Sequence, residues 1–148
     1  MAGPRFPRYR SAYAIAVALA VTLGPVRSRA SQPDPAAPGV TASMQCDRAS
    51  EPGRVKCTIE ARTDGKKTLS WADAEIVLLP ELATALKGRI GPQDATSRDA
   101  VSAKWAFGLV ARKAGQGEAV ARVRAVVCEG TKCHPVIVPV RAAVVVGG

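Results

Sequence analysis

Val123-Arg124-Ala125-Val126-Val127-Cys128-Glu129-Gly130-Thr131-Lys132-Cys133-His134-Pro135-Val136-Ile137-Val138-Pro139-Val140 is an apolar run, a short turn and a second apolar run. Val, Ile and small residues alternate with Arg, Pro and Cys, and the Glu129–Lys132 turn contains a glycine. Such a pattern is a β-hairpin. Side chains alternate across a strand, so Val123, Ala125, Val127, Val136, Val138 and Val140 share one face, which is the core face. With Cys128 set opposite Cys133, Val126 falls opposite Pro135, Arg124 opposite Ile137 and Arg122 opposite Pro139. Cys128 then shares an outer face with Arg122 and Arg124, and Cys133 shares it with Arg141. Lys132 adds a further cation near the tip. Pro135 and Pro139 cannot donate to a ladder, which places the last strand at a sheet edge.

The same period of two runs through the preceding chain. Val40, Ala42, Met44 and Cys46 form one alternating set, and Val55, Cys57, Ile59 and Ala61 form another after the turn signal Glu51-Pro52-Gly53. If Cys46 pairs with Cys57, Met44 faces Ile59 and Ala42 faces Ala61, all on an apolar face. Directly opposed antiparallel residues have Cα atoms about 4.5–5.5 Å apart, within reach of a disulfide. Leu69–Trp71 and Ala74–Leu79 read as a third strand interrupted near Asp73. Glu81–Lys87 reads as a helical turn or two, and Gly88–Ala100 as a long loop. Val101–Lys113 is a strand around Trp105, and Ala114-Gly115-Gln116-Gly117 reads as a turn. Glu118–Cys128 and Cys133–Val146 complete the set. The fold class is all-β: an immunoglobulin-like antiparallel sandwich of about seven strands, with Trp71 and Trp105 as large core fillers. Asp73 and Glu75 read as a solvated strand face.

The ends divide the 148 residues into three parts. Residues 1–30 have the form of a secretory signal. Arg5, Arg8 and Arg10 precede an apolar run from Ala12 to Leu23, and Ser28-Arg29-Ala30 supplies small residues for cleavage. The run is shorter than the ~20 residues of a membrane helix, so no stable membrane insertion is expected after cleavage. Residues 31–39 form a Pro-rich tether, and 40–148 form one domain. Five of the 21 basic residues and none of the 12 acidic ones lie within 1–30. The remainder carries 16 basic and 12 acidic groups, a net charge of +4. That mild, scattered charge gives no case for nucleic-acid binding. The four cysteines all lie beyond residue 30, and an exported chain is expected to form two disulfides. The expected location is periplasmic or extracellular.

Two uses of the Cys128/Cys133 pair remain open on this reading. An accessible cysteine among cations holds more thiolate, the attacking species in thiol–disulfide exchange. Alternatively, a six-residue ring staples a hairpin, as disulfides do in small exported domains, and both pairs are inert. Cys46–Cys57, buried, is the structural pair. A metal site on Cys128, Cys133 and His134 would lack a fourth ligand. Haem attachment would need a longer spacing than the usual Cys-x-x-Cys-His and an axial role for His134. No metal or cofactor is therefore assigned. Hydrolytic catalysis lacks a nucleophile elbow around the single histidine.

The stretch Val123–Cys128 followed by Cys133-His134-Pro135-Val136 resembles the N-terminal periplasmic domain of the thiol–disulfide interchange protein DsbD, the disulfide bond corrector family. In that family an immunoglobulin-like sandwich carries a redox-active cysteine pair on two late, adjacent strands. Cys128 and Cys133 match the two cysteines, Glu129-Gly130 the turn and Pro135 the first proline. His134 departs from the family's aromatic or aliphatic residue, Val136 from its second proline, and Gly88–Ala100 lacks the aromatic of the family's shielding loop. The match covers about 25 residues. The resemblance implies a protein thiol–disulfide oxidoreductase activity toward protein partners, with Cys128 and Cys133 sharing the attacking and resolving roles. His134 could tune a thiolate, although its parity turns it toward the core side, and Arg122, Arg124 and Lys132 could do so through their charge.

Overall fold

Alternation builds two antiparallel sheets in the computed structural model, which describes residues 37–148. The nine strands are β1 (Val40–Cys46), β2 (Gly53–Thr63), β3 (Thr68–Leu78), β4 (Ala83–Ala85), β5 (Arg89–Ile90), β6 (Ala95–Arg98), β7 (Ser102–Ala111), β8 (Gly115–Glu129) and β9 (Lys132–Val146). One sheet runs β1-β2-β7-β4, with β6 also pairing to β7, and the other runs β5-β3-β8-β9. This is the strand order of an immunoglobulin-like sandwich with an added edge strand on the second sheet. The signal expected at 1–30 and the tether up to residue 36 lie outside the described residues. No helix among the described residues is long and apolar enough to cross a membrane.

The core lies between the inner faces and is built from period-two residues. Trp105, Ile59, Leu109, Val123, Val138 and Val144 are among its fully buried members. Trp105 also donates its indole N–H to the Gly91 carbonyl at 3.0 Å, so its one polar atom is satisfied. Truncating such a side chain to alanine costs about 3–5 kcal/mol, from lost transfer energy and the cavity left behind.

Both hairpins take the register read from the sequence. Cys46 lies opposite Cys57, Met44 opposite Ile59 and Ala42 opposite Ala61. Cys128 lies opposite Cys133, Val126 opposite Pro135, Arg124 opposite Ile137 and Arg122 opposite Pro139. The β8–β9 turn is two residues long. Gly130 within it has φ of +60°, a conformation that glycine adopts at no steric cost. β9 is an edge strand.

Five expectations are corrected. Residues 81–87 form no helix: Ala83–Ala85 is a short strand on β7, because Leu82 and Ala83 are both drawn into the core. The long loop at 88–100 is ordered into β5, a single 3₁₀ turn at Pro92–Asp94 and β6. The stretch Gly115–Gly117 is not a turn but the start of β8, and Gly117 is there for close approach. A Cβ at Gly117 would lie 2.4 Å from Cβ of Pro80. β3 runs through Asp73 unbroken, and its irregularities fall at Leu69/Trp71 and Ile76/Leu78. Trp71 is half-buried and lies on the outer face rather than in the core, since the first irregularity resets strand parity just before it.

Candidate functional site

The outer face of the β5-β3-β8-β9 sheet gathers most residues of chemical interest. Its register forms rows across β3, β8 and β9: Thr68–Cys128–Cys133, Trp71–Val126–Pro135, Asp73–Arg124–Ile137 and Glu75–Arg122–Pro139. The disulfide thus caps one end of an outer face whose middle carries ion pairs and whose β9 side is apolar.

Cys128 and Cys133 are bonded, with Cα atoms 4.0 Å apart. Their surroundings differ. Cys128 is only 9% exposed, flanked by β3 on one side and β9 on the other, whereas Cys133, on the edge strand, is exposed. In the other bonded pair, also 4.0 Å between Cα atoms, Cys57 is fully buried and Cys46 packs partly buried against the core.

Two of the three cations expected to tune the second pair, Arg122 and Arg124, are already engaged. Arg124 donates Nε–H to Asp73 Oδ1 (2.9 Å) and Nη2–H to Oδ2 (2.5 Å). Arg89 donates Nε–H to Asp73 Oδ2 at 2.8 Å. Arg122 is 3.3 Å from Glu75, and Arg141 is 3.1 Å from Glu118. Lys132 lies opposite Glu129 across the turn. The face is therefore charged but largely self-neutralised, which corrects the picture of a bare cationic surface. His134 sits opposite buried Val127, on the core side as parity requires. It is nonetheless exposed, because the tip of the hairpin extends beyond the packed core.

Asp73 was the residue whose role sequence reasoning missed. It is the one buried charged or polar residue among those described, at 0% exposure. Burial pushes its carboxyl pKa up. The hydrogen bonds from Arg124 and Arg89, with their charges, more than offset this and hold the group below the usual carboxylate range. The guanidinium of Arg124 also lies 5.9 Å from the Trp71 ring centroid, within cation–π range. Strand parity pairs Asp73 with Arg124 only once the Leu69/Trp71 irregularity is known. Arg89 joins only through β5, which the sequence presents as loop.

Beside this cluster lies a cleft of about 340 Å³ lined in part by Trp71, Asp73, Lys87 and Arg89. No group of three or more His, Cys, Asp or Glu side chains among the described residues is arranged to hold a metal ion. Both cysteine pairs are disulfide-bonded.

The chain matches no protein-family model and no curated protein. Solved structures with some similarity include the VesB protease of Vibrio cholerae (TM-score 0.33, 8% identity, 70% of this chain and 31% of that one). They also include BslA, a bacterial hydrophobin (0.36, 9%, 77% and 95%), and a PapD-like domain of human CEP192 (0.36, 11%, 82% and 97%). This chain spans less than a third of the VesB chain. At these scores the likenesses identify no family.

Proposed function

We propose that this protein is an exported thiol–disulfide exchange module that acts on protein partners through Cys128 and Cys133. The observation that carries the reading is the unequal exposure of the two sulfurs on the outer face. An incoming partner thiolate attacks Sγ of exposed Cys133. The Cys133–partner bond forms, the Cys128–Cys133 bond breaks, and Cys128 leaves as a thiolate. A second partner thiolate then attacks the partner sulfur of the mixed disulfide and releases Cys133. Two electrons pass from a protein dithiol to the pair, and the reverse sequence passes them on. The apolar strip of Val126, Pro135 and Ile137 beside the pair gives a partner something to rest on. Export to an oxidising compartment, periplasmic or extracellular, fits both the four paired cysteines and the signal-like residues 1–30.

Redox titration in glutathione buffers tests the reading. An exchange-active pair should have a potential above about −300 mV, and Cys128→Ser should trap a mixed disulfide through Cys133. A potential well below that value, with nothing trapped by either single serine variant, would overturn it. That outcome would leave a binding or structural sandwich with two inert disulfides.

A further inference from the structure

The cleft beside Trp71 does not belong to the sulfur chemistry. It lies between β3 and the segment Lys87–Asp94, and its walls are set before any ligand arrives. The indole of Trp105 anchors the Gly91 carbonyl at 3.0 Å, and the Gly91 N–H donates to Asp94 Oδ2 at 2.9 Å. Arg124 sits over the Trp71 ring and steadies it. A pre-formed cleft avoids an ordering cost on binding.

Charge in the cleft is balanced. Lys87 Nζ lies 2.6 Å from Asp94 Oδ1, and Arg89 Nη2 lies 2.7 Å from Asp73 Oδ2. Each charge in the cleft already has its counter-charge, so neither an anion nor a cation finds a net charge there to neutralise. A neutral ligand rich in hydroxyls needs none, because each hydroxyl both donates and accepts. The side chains of Lys87 and Arg89 remain 61% and 60% exposed, so both retain donors facing solvent. Gln93 adds an amide with both functions, and Trp71 adds an apolar wall with an N–H at its edge. A volume of about 340 Å³ is at the small end of ligand sites, roughly 300–1,000 Å³. It suits a single sugar ring or the end of a short chain.

We propose that this cleft is a binding site for a neutral saccharide, with the ring against Trp71 and its hydroxyls on the Lys87–Asp94 and Arg89–Asp73 pairs. The site is independent of the exchange reading.

The test is a ¹H–¹⁵N NMR titration of the full chain with maltotriose, cellotriose and triacetylchitotriose, with acetate and glucuronate as charged controls. The chain has two tryptophans, so two indole N–H signals report, and Trp71→Phe assigns them. At least one of the three sugars should move the Trp71 signal saturably, with Trp105 moving less. Lys87→Met and Gln93→Ala, both away from the core, should each weaken that binding by roughly three- to tenfold, the loss of one hydrogen-bonding side chain. Cys128→Ser/Cys133→Ser should leave it unchanged, so failure of the exchange reading does not touch this one. The proposal is overturned if no sugar gives a saturable shift. It is equally overturned if acetate or glucuronate binds as well as the sugars, or if binding survives both cleft variants intact.

Discussion

The two disulfide hairpins of this molecule have the same local geometry and opposite surroundings. In β1–β2 and in β8–β9 the cysteines stand directly opposite one another with Cα atoms 4.0 Å apart. Cys57 points into the core and is wholly inaccessible, while Cys133 points out of the sheet and is exposed. The difference is one of strand parity. In β2 the cysteine falls in step with Val55, Ile59 and Ala61, and in β8 it falls in step with Arg122 and Arg124. What a disulfide can do is therefore decided by which face its strand presents there, not by the bond.

The largest break in this comparison comes from the buried pair. Cys46→Ala/Cys57→Ala should lower unfolding free energy by about 3 kcal/mol, from the lost restriction of a twelve-residue loop. Urea denaturation measures it, and a loss under 1 kcal/mol would mean that the pair contributes little to the core. A slightly smaller effect is expected on the outer face. Asp73→Asn removes the carboxylate that both Arg124 and Arg89 hold. Losing one partner of a fully buried pair costs about 3–5 kcal/mol. The two arginines are partly exposed and can turn to water, which lowers the expectation to roughly 2 kcal/mol. The effect depends on pH with a definite sign. The Asp73 pKa is lowered in the fold, so its stabilisation is complete above the unfolded value near 4 and is lost as pH falls through the lowered folded value. Wild type and Asp73→Asn should accordingly differ most near neutral pH and converge in acid. A gap that persists undiminished in strong acid would count against the ion-pair origin.

About equal to it is the exposed staple. Cys128→Ala/Cys133→Ala opens a ring of six residues and should cost about 2 kcal/mol. The sharper contrast is kinetic. Under a mild phosphine reductant without denaturant, Cys133 should be alkylated first, and Cys46–Cys57 should survive until the fold opens. Simultaneous loss of both disulfides by mass spectrometry would erase the distinction drawn between the hairpins.

The long elements were readable because their faces are uniform. Val123, Ala125 and Val127 against Val136, Val138 and Val140 fix both period and register, as do Met44 and Ile59. The outer-face cluster was not readable because it depends on events without a sequence period. The shift before Trp71 moved that residue outward. The two-residue strand Arg89–Ile90 is too short to declare itself, yet it delivers Arg89 to Asp73. Gly115 and Gly117 imitate a turn, although Gly117 serves close packing on Pro80. The position of the exposed disulfide was legible, and the neutralisation of its neighbouring cations was not.

The smallest expected effect concerns the edge beside the exposed pair. The Ala49 N–H donates to the Val145 carbonyl, and the Gly147 N–H donates to the Ala49 carbonyl. Odd-numbered residues at this end of β9 therefore turn their backbone groups away from β8, and the unbroken register carries the same parity back to Pro139 and Pro135. Both proline nitrogens face away from β8, toward the edge along which β1 runs close by without a ladder, so no ladder donor is required there. They leave gaps that discourage another strand from pairing there, beside the accessible sulfur. Pro139→Thr should thus change unfolding free energy by no more than about 0.5 kcal/mol, while sedimentation should detect more self-association than in wild type. A stability loss above 1 kcal/mol would place the proline nitrogen against β8. Unchanged self-association would show that the prolines do not guard this edge.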